Sequence, residues 1–334
     1  MRYILSLSYD GSAFCGWQIQ PSSPSVQQCL EETLAKLCGG PVPVTGAGRT
    51  DTGVHAADYV CHFDLTGPLP FEASDFCYKL NAILPRGIVV HAVLPTTDDF
   101  HARFSATQRS YTYFIHRKKD PFVAPFSWQC GFPDLDFDAM NEACQYLLGT
   151  HDFSCFEKTG GANKTSLCTI TEAFWKPYVP THLALMDYGY TPEDFGISPE
   201  EGIVSETASA TLRPLPPQAA GPSLLSGRGW PEVSETTPSS SGHSPSCHFE
   251  RSDYVCHFER SLEGGVEKSD YWYFRVSADR FLRNMVRAIV GTLIEVGRGK
   301  HEPAWVKELI ETGTRGDAGE SVPGHALFLS KVKY

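Results

Sequence analysis

The sequence predicts an α+β protein built from two tandem ferredoxin-like βαββαβ halves. Three observations carry that expectation. Apolar residues alternate at strand spacing or recur at helix spacing in the order strand, helix, strand, strand, helix, strand, and the order occurs twice. No run approaches the roughly 18 apolar residues of a membrane-spanning helix. One stretch inside the second half breaks the pattern and reads as a long insertion. The sheets of the two halves are expected to meet about a central cleft.

The first half, residues 1–97, opens with a strand over 2–9. A helix follows over 26–38, with Val26, Leu30, Thr33, Leu34 and Leu37 on one face. Ser25 and Gln28 are placed as a capping box and Gly39 as the stop. Strands are predicted at 42–47 and 57–64, then a helix at 75–83 capped by Ser74 and ended by Pro85. A Val- and Ile-rich strand at 87–94 closes this half. The second half, residues 98–334, begins with a strand at 109–116 and a helix at 138–148 carrying Met140, Ala143, Cys144 and Leu147. Strands at 165–175 and 271–277 flank the insertion. A long helix over 279–296, a shorter one from Pro303 and a strand at 326–333 complete the order.

The insertion, at about 178–268, is acidic and poor in core-forming residues. It holds 13 Asp and Glu against 5 Lys and Arg, a net of −8, which leaves −3 for the rest of a chain whose formal charge is −11. The overall acidity therefore says little about any binding surface outside it. From Ser205 to Ser246, 25 of 42 residues are Ser, Thr, Pro or Gly, too few apolar groups to offset chain entropy. Near its end Cys247-His248-Phe249-Glu250-Arg251-Ser252 recurs as Cys256-His257-Phe258-Glu259-Arg260-Ser261, and Asp58-Tyr59-Val60-Cys61-His62-Phe63 reappears as residues 253–258. A Cys-His pair of this kind suits zinc, but a duplicated strand-like peptide also explains the Phe, Glu and Arg copies. The 11 cysteines are odd in number and form no Cys-x-x-Cys, which points to reduced thiols and a cytoplasmic setting. The first residues are too polar for a signal peptide.

Four runs carry possible chemistry. The sharpest is Gly46-Ala47-Gly48-Arg49-Thr50-Asp51-Thr52-Gly53-Val54-His55-Ala56. It is neither a Rossmann turn, because Asp51 stands where a glycine is needed, nor a P-loop, which needs Gly-Lys-Ser/Thr. What remains is an acid beside an arginine on a glycine-permitted turn. Asp51 caps that turn, as Asp often does, or it is a carboxylate presented as nucleophile or base beside a cation. Spacing alone leaves the two open.

The second run, Asp279-Arg280-Phe281-Leu282-Arg283-Asn284-Met285-Val286-Arg287, sets three arginines within about 60° on a predicted helix, with Met285, Ile289, Leu293 and Val296 opposite. An all-arginine stripe suits phosphate or carboxylate partners, and the plainer alternative is a solvated face. The third, Phe100-His101-Ala102-Arg103-Phe104-Ser105-Ala106-Thr107-Gln108-Arg109-Ser110-Tyr111, interleaves arginines with aromatics, as backbone-gripping and base-stacking surfaces do. Its alternative is an ordinary strand with inward tyrosines. The fourth, Tyr9-Asp10-Gly11 through Gly16-Trp17-Gln18, is a surface loop after the first strand.

In this order the four runs resemble one family, the tRNA pseudouridine synthases of the TruA type, which isomerise uridines at positions 38 to 40 of tRNA. The resemblance spans nearly the whole chain outside the insertion and agrees with the two-lobed α+β expectation. It implies that Asp51 is the catalytic aspartate, that Arg49 assists base extrusion and that Tyr111 contacts the flipped uracil. Arg287 would be the basic residue paired with the aspartate, and Leu327, in Ala326-Leu327-Phe328-Leu329, the apolar wall of the base pocket. Arg103, Arg280 and Arg283 are the candidates for RNA-backbone contact. The central cleft would then be an RNA-binding one.

Isomerisation changes neither redox state nor composition, so no cofactor or metal is expected. The resemblance also implies an anticodon stem-loop substrate and a homodimer, with no membrane. A non-catalytic RNA-binding module is the alternative of a different class, and a nucleotide-dependent enzyme using the Gly46/Gly48 turn is a third.

Overall fold

A computed structural model describes residues 1–132, 134–158, 165–185 and 269–334, all within one compact unit made of residues 1–185 and 266–334. The low-complexity stretch and the Cys247 and Cys256 repeats lie outside the described residues.

The first half follows the predicted order. Strand β1 (Arg2–Tyr9) alternates half-buried and buried positions, as a strand with one covered face must. Helix α1 (Val26–Cys38) starts where the Ser25 hydroxyl accepts the Gln28 amide at 3.3 Å, and it ends at Gly39 in the left-handed region. Its buried face is Val26, Leu30, Thr33 and Leu34. Strands β2 (Val44–Gly46) and β3 (His55–Asp64) follow, the second two residues longer at its start than predicted.

Helix α2 (Ala73–Ile83) begins before Ser74, which lies inside it rather than capping it. The start is set by Phe71 stacking on Phe76 at 6.5 Å, a hydrophobic staple across the first turn. Strand β4 (Ile88–Thr96) completes the half.

The second half contains β5 (Gln108–His116), β6 (Trp128–Gln129), α3 (Phe137–Gln145), β7 (Gly149–Asp152) and β8 (Leu167–Pro177). It continues through α4 (Thr181–Leu185), β9 (Tyr271–Ala278), α5 (Met285–Gly297), α6 (Trp305–Thr312) and β10 (Leu327–Lys333). The short strands β6 and β7 extend this half beyond the predicted order. The first residues of the expected insertion belong to the framework. Tyr178 packs edge-on against Phe114 at 5.3 Å and donates its amide to the Tyr271 carbonyl.

One correction bears on the site. The helix expected over 279–296 begins six residues later. Asn284 takes φ 64°, a left-handed conformation that cannot continue a helix, and the Asp279 carboxylate accepts the amides of Thr169 and Arg280. Arg280 and Arg283 therefore sit on the turn before α5, not on one face with Arg287. Helix α5 is apolar almost all round and buried at every position except Arg287 and Glu295, so it is a core helix and has no solvated basic face.

All ten strands form one mostly antiparallel sheet, ordered β4-β1-β3-β10-β5-β9-β8-β7, with β2 beside β3 and β6 beside β5. Strands from before and after residue 97 join at a parallel seam, where Phe328 and Leu329 of β10 face His55 and Ala56 of β3. One core cluster gathers Leu5, Leu7, Leu30, Tyr59 and Phe76, and the other Tyr113, Met140, Trp175, Phe274 and α5. Tyr111 packs against both clusters and so stands at the seam.

Candidate active site

The Asp51 loop, residues 47–54, connects β2 to β3 beside the seam. Its floor is aromatic. Trp17 stacks on Tyr59 at 4.2 Å, and Tyr9 meets Tyr59 edge-on at 5.5 Å. Gly46 lies so close that a Cβ there would sit 2.1 Å from the Tyr59 hydroxyl and 2.6 Å from the Trp17 ring. The wall is backbone. Gly16 has φ +89°, and a Cβ on it would fall 2.3 Å from the Thr50 carbonyl. Gly46 thus makes room for the Tyr59 and Trp17 side chains and Gly16 for the Thr50 main chain, so these glycines serve close packing.

Hydrogen bonds close the packing. Tyr59 donates to the Gly48 carbonyl, and the Thr50 and Tyr9 hydroxyls meet at 2.9 Å. The Trp17 amide reaches the Thr50 carbonyl, and the Gly53 amide reaches that of Phe14. His55 lies beneath, between the Gly11 amide at 3.0 Å, the Asp10 carboxylate at 3.1 Å and the His325 carbonyl at 2.8 Å. Burial holds its pKa below the ordinary imidazole value, against the opposite pull of Asp10 and the His325 carbonyl.

The turn itself closes by main chain. The Val54 amide donates to the Asp51 carbonyl at 3.1 Å, and Gly53 supplies φ +76°. The Asp51 side chain is not needed as a cap. Its carboxylate, 34% exposed, lies 3.8 Å from the Arg287 guanidinium, a long ion pair. Arg287 donates its Nε–H to the Val322 carbonyl at 2.6 Å, which aims the terminal nitrogens toward Asp51. Tyr111, half-buried on β5, packs edge-on against Phe281 at 5.1 Å. Burial, with the Asp51 charge adding to it, pushes its phenol up to about 12. At neutral pH the residue presents an O–H.

The structure therefore brings Asp51, Arg287 and Tyr111 together. Arg49 is exposed on the same loop and makes no hydrogen bond or ion pair among the described residues. Leu327 is 5% exposed, opposite Tyr113 in the β10–β5 ladder and in the same cluster as Val54 of the Asp51 loop. Arg103 and Arg283 are exposed, and Arg280 is half-buried. Among the described residues no three His, Cys, Asp or Glu side chains gather as a metal site would require.

Sequence inspection groups Arg109 with the backbone-gripping arginines of the third run, whereas the structure places it inward, at the junction of the runs. Its guanidinium donates to the carbonyls of Ala47 at 2.9 Å, Arg103 at 2.6 Å, Asp279 at 2.8 Å and, more weakly, Ala106 at 3.5 Å. One planar fork thus joins the strand end that leads to Asp51, the aromatic loop, and the turn that carries Arg280. Burial without a carboxylate partner lowers its pKa from the ordinary arginine value. A hint existed in the sequence: Arg109 precedes Tyr111 and Tyr113 at strand spacing, on the same face.

Comparison with known proteins is consistent with this arrangement. The family described as tRNA pseudouridine synthase matches residues 6–105 and 242–334. The tRNA pseudouridine synthase A of Parabacteroides distasonis is 36% identical over 334 residues, covering all of this chain and 96% of its own. That of Bacteroides fragilis is 35% identical, covering all of this chain and 96% of its own, and that of Porphyromonas gingivalis 34%, covering all and 97%. On that breadth of match, the chain belongs to the tRNA pseudouridine synthase family.

Proposed function

We propose that the protein converts uridine to pseudouridine in the anticodon stem-loop of tRNA, at positions 38 to 40, with Asp51 as the essential carboxylate. The observation that carries the reading is the grouping of Asp51, Arg287 and Tyr111, drawn from three distant parts of the chain, beside an arginine-bearing turn and an aromatic loop.

The reaction breaks the N1–C1′ bond, rotates the uracil and joins C5 to C1′; the C5 proton leaves and N1 gains one. A paired base cannot do this, so it must be flipped, which loop and stem-end nucleotides allow at least cost. Arg49, exposed and uncommitted to other groups among the described residues, fills the space the base leaves. Asp51 attacks or deprotonates the flipped nucleoside, with Arg287 steadying its charge. Tyr111, a protonated phenol, stacks on the uracil and donates a hydrogen bond. Holding its own proton, the phenol can take up the C5 proton only as it gives that one up. Leu327 backs the pocket from the core side. Arg103, Arg280 and Arg283 meet backbone phosphates.

The fold reading extends the same way. The strand order within each half, last-first-third-second, supports two ferredoxin-like units divided near residue 97, the second interrupted by the acidic insertion. Their junction at β3 and β10, flanked by the Asp51 loop and by Tyr111 of β5, is the proposed floor of the RNA cleft. A homodimer goes with the resemblance, and a tRNA substrate favours the cytoplasm. No described helix is long and apolar enough to cross a membrane.

The test uses anticodon stem-loops carrying C5-tritiated uridine at one position each. Release of tritium from positions 38, 39 and 40 and not from a neighbouring uridine is expected. Binding of the stem-loop with no release from any position contradicts the reading and favours a non-catalytic RNA binder.

A further inference from the structure

The loop between β4 and β5 carries a feature that the reaction above leaves unused. Phe104 is 76% exposed, the most exposed large apolar side chain among the described residues. Exposed loop tips are often loosely held. This one is not. The Ser105 amide donates to the His101 carbonyl at 2.8 Å, and the His101 amide to the Ser105 hydroxyl at 3.0 Å. The His101 ring accepts the amides of Arg103 and Phe104 at 3.2 and 3.3 Å.

The Ala102 amide reaches the buried His62 ring at 3.1 Å, and its carbonyl accepts the Tyr334 hydroxyl at 2.9 Å. Arg109 holds the Arg103 carbonyl and, with the same guanidinium, the Ala47 carbonyl four residues before Asp51. His101 braces the ring itself, with centroids 4.4 Å apart, and the Arg103 guanidinium lies 5.7 Å from its centre.

A large ring is thus fixed toward solvent, beside an exposed arginine, on a loop tied to the strand that leads to Asp51. We propose that Phe104 is a stacking platform for an unpaired nucleobase of the RNA other than the reacting uridine, with Arg103 on an adjacent phosphate. The inference rests on the reading of this protein as an enzyme acting on tRNA. Every base has a π-face, so a lone ring with a neighbouring cation recognises unpaired nucleotides without selecting among them. Because the loop is already ordered, little conformational freedom is lost on binding. A protein partner would be expected to meet a wider apolar patch, whereas the nearest exposed neighbour here is a cation.

The test compares variants of the full chain with tRNA. Phe104→Ala is expected to raise KM roughly five- to a hundredfold and to lower kcat far less. The slope of binding against salt stays as in the parent, because no charge is lost, whereas Arg103→Ala reduces it by about one unit. Phe104→Trp is expected to keep KM within about threefold of the parent. Its added fluorescence, measured against the parent protein, is quenched when tRNA binds.

Parental KM in Phe104→Ala overturns the proposal. So does a change in the sedimentation of the free protein with KM unaltered, which assigns the ring to a contact between copies of the chain. A parent protein that neither binds nor converts tRNA fails the proposed function instead, and is recognised before any variant is made.

Discussion

The Asp51 loop and the turn at 279–284 are both tied to the Arg109 fork and are built differently. The first is packed tightly, with Gly46 against the Tyr59 and Trp17 side chains and Gly16 against the Thr50 main chain, at distances that leave no room for a Cβ. Of its charged groups, Arg49 is exposed and Asp51 is half-buried beside Arg287. The second adds side-chain caps to its main-chain bonds. Asp279 caps two amides, Asn284 turns the chain, and Arg280 and Arg283 extend from what remains. A site that positions a reacting carboxylate gains from the rigid design. A surface that follows a ribose–phosphate backbone tolerates the looser one.

The comparison is broken most severely at Arg109, because both regions hang from it. Arg109→Met leaves the carbonyls of Ala47, Arg103 and Asp279 without their donor, at an expected cost of about 2–4 kcal/mol. Thermal unfolding measures that cost. Arg109→Lys is expected to recover part of it, since an ammonium has three donors and no planar fork.

Gly46→Ala attacks the rigid side alone. The added methyl meets the Tyr59 hydroxyl and the Trp17 ring, both buried, so a loss of about 1–3 kcal/mol is expected. Activity per folded molecule should fall as well, because the loop must shift to make room. Unchanged unfolding and turnover would show that the floor gives way freely.

Arg280→Ala and Arg283→Ala sharpen the other side. Each is expected to reduce the salt slope of tRNA binding by about 0.9 while leaving unfolding within about 0.5 kcal/mol. An unchanged slope for either returns that residue to ordinary solvated charge.

The smallest expected effect is a pH dependence. Burial lowers the pKa of His55, His62 and His116 below the ordinary imidazole value. The unfolded chain then binds protons that the folded chain refuses, so stability is complete above about pH 6.5 and declines as pH falls through the lowered values. The melting temperature should drop between pH 7 and 5, and less steeply in a His62→Gln variant.

Much of this is legible in the sequence. The first half follows its predicted order because Ser25, Gly39 and the alternation of β1 are local signals, acting within a turn or a pleat. The Ser74 cap failed for a local reason too. Phe71 and Phe76 stapled the helix start earlier, and an aromatic pair outweighed a hydroxyl.

The arginine stripe failed for a different reason. Sequence spacing assumes a helix, and a single left-handed Asn284 removes Arg280 and Arg283 from it. The meeting of Asp51 with Arg287 and Tyr111 was legible only by resemblance. It depends on β10 pairing with both β3 and β5, contacts that span most of the chain and leave no periodic trace.

The central claim is that a carboxylate on residue 51 performs the chemistry and contributes little else. Tritium release from C5-labelled tRNA by Asp51→Asn, measured alongside its tRNA affinity, tests this most directly. Release is expected to fall at least about a hundredfold with affinity retained. Release at the parental rate from a folded, tRNA-bound Asp51→Asn protein would contradict the account.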